Sequence, residues 1–303
     1  MKKIILFFNG IFMGAADTVP GVSGGTIALI CGIYEEFIST IKSFSPKIVK
    51  SFLKRITKPE EGNKEQFKKD VASLNLPFLI PLGIGIVFAL LLLSSVIPAS
   101  MDRYPIQTFS VFIGLIIASI KTPFRLIENK NLNVWMLLIA GFVFAFAVSV
   151  ISSGNQTSEN IAFYYLFFSG FLGISAMLLP GLSGAYILMI LGVYRPVLEL
   201  LSEVKSNPML VFSMEGFKLI SFVVGMVVGL MVFSRILTKL LKTKRDQTMA
   251  LLTGLMTGAL IVPFNEMREH NLADNIFLMT AFIAVGAALV IGIDLIKNKK
   301  VKN

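Results

Sequence analysis

The chain holds little of what soluble catalysis and redox chemistry need. Its 303 residues include one cysteine, one histidine and one tryptophan, and only 15% are charged. Cys31, alone inside an apolar stretch, has no internal disulfide partner and no companions for a zinc site. A soluble domain keeps about a quarter of its residues charged. That shortage, with 55% apolar residues and a mean hydropathy of +0.78, excludes soluble enzymes and DNA-binding modules. No Walker A lysine or nucleotide-binding domain is present, and no metal or cofactor is expected. His270, among charges in a loop, reads as plain surface. The composition is that of an all-α integral membrane protein that crosses the bilayer several times.

Apolar runs recur at about 4–16, 26–41, 77–97, 105–121, 134–151, 161–179, 185–201, 216–236, 247–262 and 276–296. A span needs roughly 17–25 apolar residues, so the first two runs, broken between Asp17 and Gly25, suit a re-entrant hairpin. The pair 161–179 and 185–201, broken at Pro180 to Gly184, is long enough to be either a hairpin or two full spans. Basic residues orient the chain. Lys2 and Lys3, the lysine-rich segment 42–76, the loop with Lys121, Arg125 and Lys130, the loop from Arg235 to Arg245 and the last lysines belong inside. The segment 152–160 has no basic residue and belongs outside, as does the loop with Glu266, Glu269 and Asp274. Both termini are then cytoplasmic, and Trp135 is an interfacial anchor.

Lys2, Lys3, a short apolar stretch and Gly14-Ala15-Ala16 imitate a cleavable signal peptide. An internal repeat argues against that reading. Shifting the chain on itself by 160 positions aligns Phe7, Gly10, Ala16, Pro20, Gly21, Ser23, Gly24, Gly32 and Tyr34 with Phe167, Gly170, Ala176, Pro180, Gly181, Ser183, Gly184, Gly192 and Tyr194. A shift of 140 aligns Gly85, Gln107, Thr108, Gly114 and Pro123 with Gly225, Gln247, Thr248, Gly254 and Pro263. Residues 1–153 and 154–303 therefore read as two copies of one unit, each a broken hairpin plus three transmembrane helices. An odd number of crossings per copy makes them inverted-topology repeats, an architecture of secondary transporters with the site where broken elements meet.

The breaks read Asp17-Thr18-Val19-Pro20-Gly21-Val22-Ser23-Gly24-Gly25-Thr26 and Leu178-Leu179-Pro180-Gly181-Leu182-Ser183-Gly184-Ala185-Tyr186. Pro20, Gly21, Pro180 and Gly181 end the first arms, and Ser23 or Ser183 can cap the helix that follows. Free amides at a helix start attract an anion, and glycine lets a phosphate approach the backbone. Ser23, Gly24, Gly25, Thr26 and Ser183, Gly184, Ala185, Tyr186 are thus candidate phosphate-binding residues; turns that merely pack together are the plainer alternative. Asp17, a carboxylate beside an apolar helix end, is a candidate proton or cation carrier, or an ordinary cap. Glu35 stands where the second copy has Arg195, which leaves a functional ion pair and plain interfacial charges both open. Gly10-x-x-x-Gly14, Gly225-x-x-x-Gly229 and Gly254-x-x-x-Gly258 predict close helix packing.

Gly14-Ala15-Ala16-Asp17 through Pro20-Gly21-Val22-Ser23-Gly24-Gly25-Thr26 to Gly32-Ile33-Tyr34-Glu35, with Ser175-Ala176-Met177 through Pro180-Gly181-Leu182-Ser183-Gly184 to Gly192-Val193-Tyr194, carry a resemblance over nearly the whole chain. The chain resembles the PopT-type polyprenyl phosphate translocases. The resemblance implies a bacterial plasma-membrane transporter, not an enzyme, that returns undecaprenyl phosphate from the outer to the inner leaflet for reuse in cell-wall synthesis. Co-transported protons or cations would drive it, with no nucleic-acid partner. The second break departs from the first, with Met177, Ala185 and Tyr186 in place of Asp17, Gly25 and Thr26. The rival is an integral-membrane lipid diphosphate phosphatase, whose Pro-Gly-x-Ser-Arg motif has Arg where this chain has Gly24 and Gly184. A small-anion transporter or channel is the third reading.

Overall fold

The computed structural model describes residues 2–17, 23–44, 46–57, 60–150, 161–268 and 275–301. Pro20, Gly21, the segment 152–160 and His270 lie outside them. Every regular element among the described residues is helical. The first half runs α1 (Lys2–Asp17), α2 (Gly24–Ile30), α3 (Tyr34–Ser43), α4 (Pro46–Thr57), α5 (Glu61–Ala72), α6 (Leu76–Arg103), α7 (Pro105–Arg125) and α8 (Leu132–Val150). The second runs α9 (Phe163–Met177), α10 (Gly184–Ile190), α11 (Tyr194–Ser206), a 3-10 turn (Pro208–Phe212), α12 (Met214–Thr243), α13 (Arg245–Ala259), α14 (Ile261–Arg268) and α15 (Ile276–Val301).

Five helical stretches among the described residues are long and apolar enough to cross a membrane: part of α6, α7, α8, α12 and α13 joined to α14. A sixth is added if the bent pair α10 and α11 counts as one. Large apolar side chains stay exposed along this bundle, Leu91 at 76% and Phe277 at 86%, as a lipid-facing surface requires.

Two expected runs are broken once more. The run 26–41 splits into α2 and α3, and 185–201 splits into α10 and α11 with a bend of 109°. The same device ends both short helices. Gly32, at φ 65°, donates to the Leu29 carbonyl and Ile33 to that of Ala28; Gly192, at φ 68°, donates to Met189 and Val193 to Leu188. This is a Schellman closure, and its left-handed residue favours glycine. With 7 residues, α10 extends only about 10 Å and is too short to be a separate span. The segment 42–76 is also more ordered than a plain connection, since it contains α4 and α5.

The long helices pack mainly in pairs: α1 with α6, α9 with α12, α7 with α15, and α8 with α13. Glycines set these crossings. A Cβ on Gly10 would overlap the Leu82 carbonyl and one on Gly85 that of Phe7; in the second half Gly170 and Gly225 stand against Phe222 and Phe167 in the same way. Gly254 and Gly258 on α13 press on the Leu138 and Phe142 carbonyls of α8. The three Gly-x-x-x-Gly pairs thus do the packing expected of them. The largest core cluster gathers α2, α3 and the ends of α12 and α13 around Ile30, Tyr34, Ile38, Leu241, Leu252 and Met256. A separate small cluster of Leu166, Val193, Val197 and Phe222 holds α9, α11 and α12 together.

Candidate functional site

The two breaks meet inside the bundle, and the first grips the second. Ser23 has extended backbone, φ −126° and ψ 137°, and its Oγ accepts from the Gly25 amide at 3.1 Å as the cap of α2. The same hydroxyl donates to the Met177 carbonyl at 3.3 Å. Thr26 Oγ1 accepts from the Gly181 amide at 3.0 Å, and Tyr34, 2% exposed, donates its hydroxyl to the Leu178 carbonyl at 2.9 Å. The physical reason lies in α9. A helix ending in a buried core leaves carbonyls without partners and no water to satisfy them. Side chains of the other break supply the donors.

Asp17 closes the first break. Its Oδ1 accepts from the Gly24 amide at 2.7 Å, and a Cβ on Gly24 would stand 2.7 Å from Oδ2, so glycine is what admits the carboxylate. The first-turn amides of α2 are then taken: Gly24 by Asp17, Gly25 by the Ser23 hydroxyl and Thr26 by the Ser23 carbonyl. Ser23, Gly24, Gly25 and Thr26 are all buried.

The second break has the same cap in a looser setting. Ser183 Oγ accepts from the Tyr186 amide at 3.4 Å, and the Tyr186 hydroxyl donates to the Ser149 carbonyl at 2.9 Å. Gly181, at φ 87°, lies so close to α13 that a Cβ would stand 2.7 Å from Met256 Cα. Pro180 is buried beside it and Ala185 is exposed. A small, partly open cleft reaches this break, lined by Ser149, Gly181, Leu182, Ser183, Tyr186 and Val262 among others. Of the two serine caps, only Ser183 borders this opening.

Charges gather at the end of the bundle where α3 lies. Glu35 pairs with Arg245 at 2.9 Å, Glu36 accepts from Asn75 at 2.9 Å, and Arg235 donates to the Phe44 carbonyl at 3.4 Å. Asp246 accepts from the Glu128 and Asn129 amides, each at 3.0 Å. Glu35 therefore finds its partner in Arg245, while Arg195 begins α11 as an exposed residue. Among the described residues, no buried side-chain nitrogen or oxygen lacks a hydrogen-bond partner.

Comparison with known proteins identifies the family. A model of the VCA0040-like family, described as undecaprenyl phosphate translocase-like, matches residues 13–275, which include both breaks. The chain belongs to this family. A polyprenyl-phosphate transporter of Vibrio cholerae is 37% identical over 268 residues, covering 88% of this chain and 80% of the relative. A polyprenyl-phosphate transporter of Staphylococcus aureus is 29% identical over 302 residues, 96% of each chain. No solved structure matches.

Within this family member, several residues of the site were not singled out by sequence reasoning. Tyr34, Ser149, Arg235 and Arg245 act through partners 144, 37, 191 and 210 positions away, and nothing local marks those pairings. Tyr34 carried a signal as the residue opposite Tyr194 in the repeat, and Arg235 and Arg245 as basic residues of one connecting loop.

Proposed function

We propose that the chain is a translocase for undecaprenyl phosphate, carrying this lipid from the outer to the inner leaflet of the bacterial plasma membrane with co-transported protons or cations. The names of the two relatives and the family support the substrate class. One structural observation carries the mechanism: two helix breaks are stitched together by Ser23, Thr26 and Tyr34, and a small cleft borders the second beside Ser183. Residues 1–153 and 154–303 act as inverted repeats, a reading supported by the matched pairs α1 with α6 and α9 with α12, and α7 with α15 and α13 with α8.

The cleft lies at the end of the bundle where α8 leads into 152–160, which has no basic residue. On the positive-inside rule that end faces outward and both termini face the cytoplasm. A headgroup from the outer leaflet then meets Ser183, Gly184, Ala185 and Tyr186 first, and Arg195, exposed on α11, supplies positive charge at the other end of α10. Ser23, Gly24, Gly25 and Thr26 receive it as the molecule opens inward, while the prenyl tail stays in lipid. The phosphate carries roughly 1.5 to 2 negative charges. Moving it toward a negative interior costs about 2.3 kcal/mol per charge per 100 mV, so a cation must move with it. We assign that load to Asp17. Its carboxylate now holds the Gly24 amide, which a phosphate oxygen would need, and protonation weakens that hold. Glu35, bound to Arg245, acts in closing the inner face.

The test is transbilayer movement of fluorescent undecaprenyl phosphate in proteoliposomes, with free phosphate measured in the same tubes. Wild type is expected to move the lipid and release no phosphate. Ser183→Ala should slow movement and Asp17→Asn should abolish its pH dependence. Normal pH-dependent transport by Asp17→Asn would remove Asp17 from the coupling. Release of phosphate from undecaprenyl diphosphate would instead make the protein a phosphatase.

A further inference from the structure

We propose that α4 is an in-plane anchor that binds the anionic lipid surface of the inner leaflet. The inference rests on the cytoplasmic placement of 42–76 and is independent of the transported substrate. Four basic residues, Lys47, Lys50, Lys54 and Arg55, occur in its twelve positions and no acidic one does. Successive residues of a helix turn by about 100°, which gathers the apolar positions 48, 49, 52, 53 and 56 into an arc of about 140°. Lys47, Lys50 and Lys54 occupy the opposite side and are exposed.

Helix α5 packs along the edge marked by Ser51, 7% exposed, and Arg55, whose guanidinium lies 5.0 Å from the centre of the Phe67 ring. Ile56, within the arc, is left 62% exposed. Among the described residues α4 packs on no spanning helix to a comparable extent. The chain nonetheless ties it to the membrane at both sides. Helix α3 lies against α12 and ends at Ser43, and α6 enters the apolar stretch at Leu76. An apolar arc opposite a face whose charged residues are all basic, tied by the chain to membrane helices on both sides, matches an interfacial helix whose apolar side enters the boundary between headgroups and acyl chains. The absence of acidic residues gives the charge complementarity. Each Lys or Arg close to an anionic surface strengthens association about fivefold.

The test uses the full chain in nanodiscs, where both faces are accessible. Trp135→Phe removes the native indole, and Ile56→Trp places a reporter in the apolar arc. With phosphatidylglycerol in the disc, brominated acyl chains are expected to quench this reporter by more than half. Replacing the anionic lipid with phosphatidylcholine, or adding Lys47→Gln, Lys50→Gln and Lys54→Gln, should reduce quenching at least about twofold. A Lys50→Trp reporter on the opposite face, again with Trp135→Phe, should remain open to aqueous iodide and unquenched by lipid. An Ile56→Trp reporter that stays water-exposed in both discs would overturn the anchor. Equal quenching with and without anionic lipid, unchanged by the lysine substitutions, would overturn recognition of anionic headgroups.

Discussion

Helices α2 and α10 have the same length, the same Ser-Gly start and the same glycine-closed end, yet they sit in opposite environments. All seven residues of α2 are buried, whereas Gly184 is the only buried residue of α10. Around α2 the main core closes in, α3 lies against α12, and Glu35, Glu36 and Phe44 are tied to Arg245, Asn75 and Arg235. Helix α11 has no comparable packing on α6, and the cleft opens beside α10. A repeated motif therefore does not dictate a repeated environment. In the proposed transport cycle this inequality is the state itself: one face latched, the other open, with the roles exchanging as the lipid crosses.

The largest effect on this comparison is expected at the wall both breaks share. Gly181→Ala adds a methyl group against Met256 at φ 87°, combining left-handed strain with overpacking for about 2–5 kcal/mol. Thermal unfolding in detergent should show a clear fall, and an unchanged midpoint would mean that the break and α13 are not held this closely.

The next effect separates the two tyrosines. Tyr34→Phe leaves the Leu178 carbonyl without its donor in a buried site and should cost about 1–3 kcal/mol. Tyr186→Phe frees the Ser149 carbonyl beside an open cleft, where water can replace the hydroxyl, for less than about 1 kcal/mol. Equal losses in the two variants would erase the distinction between a sealed and an open break.

The smallest effect on stability belongs to the latch. Glu35 and Arg245 are about half exposed, at 53% and 48%, so Glu35→Gln should change stability by less than about 1 kcal/mol. Its effect should appear as access. A cysteine placed at Ser43 should react faster with a water-soluble thiol reagent added from the cytoplasmic side in Glu35→Gln than in the Glu35 parent, and equal rates would show that the pair does not hold α3 shut.

What the sequence by itself determined is what local order can carry. Hydropathy marked the membrane class and the long helices, because each span is a continuous run of apolar residues. Pro and Gly marked the breaks, because backbone geometry constrains those residue types wherever they stand. Self-similarity marked the matched glycines that set the helix crossings. The second division at Gly32 and Gly192 was less visible, since the apolar run continues through the Schellman turn and only φ reveals it. Helix α4 was legible as charge but not as an element, because its apolar and basic residues separate only once wound into a helix.

Only tertiary structure decided how the site is assembled. Ser23 reaches Met177 across 154 positions, Thr26 reaches Gly181 across 155, and Glu35 finds Arg245 across 210. These partners are selected by which orphan backbone groups and charges the packed bundle brings together. Two nearly equal motifs thus receive unequal neighbours, because packing acts on the whole surface of each helix and the repeat preserves only part of it.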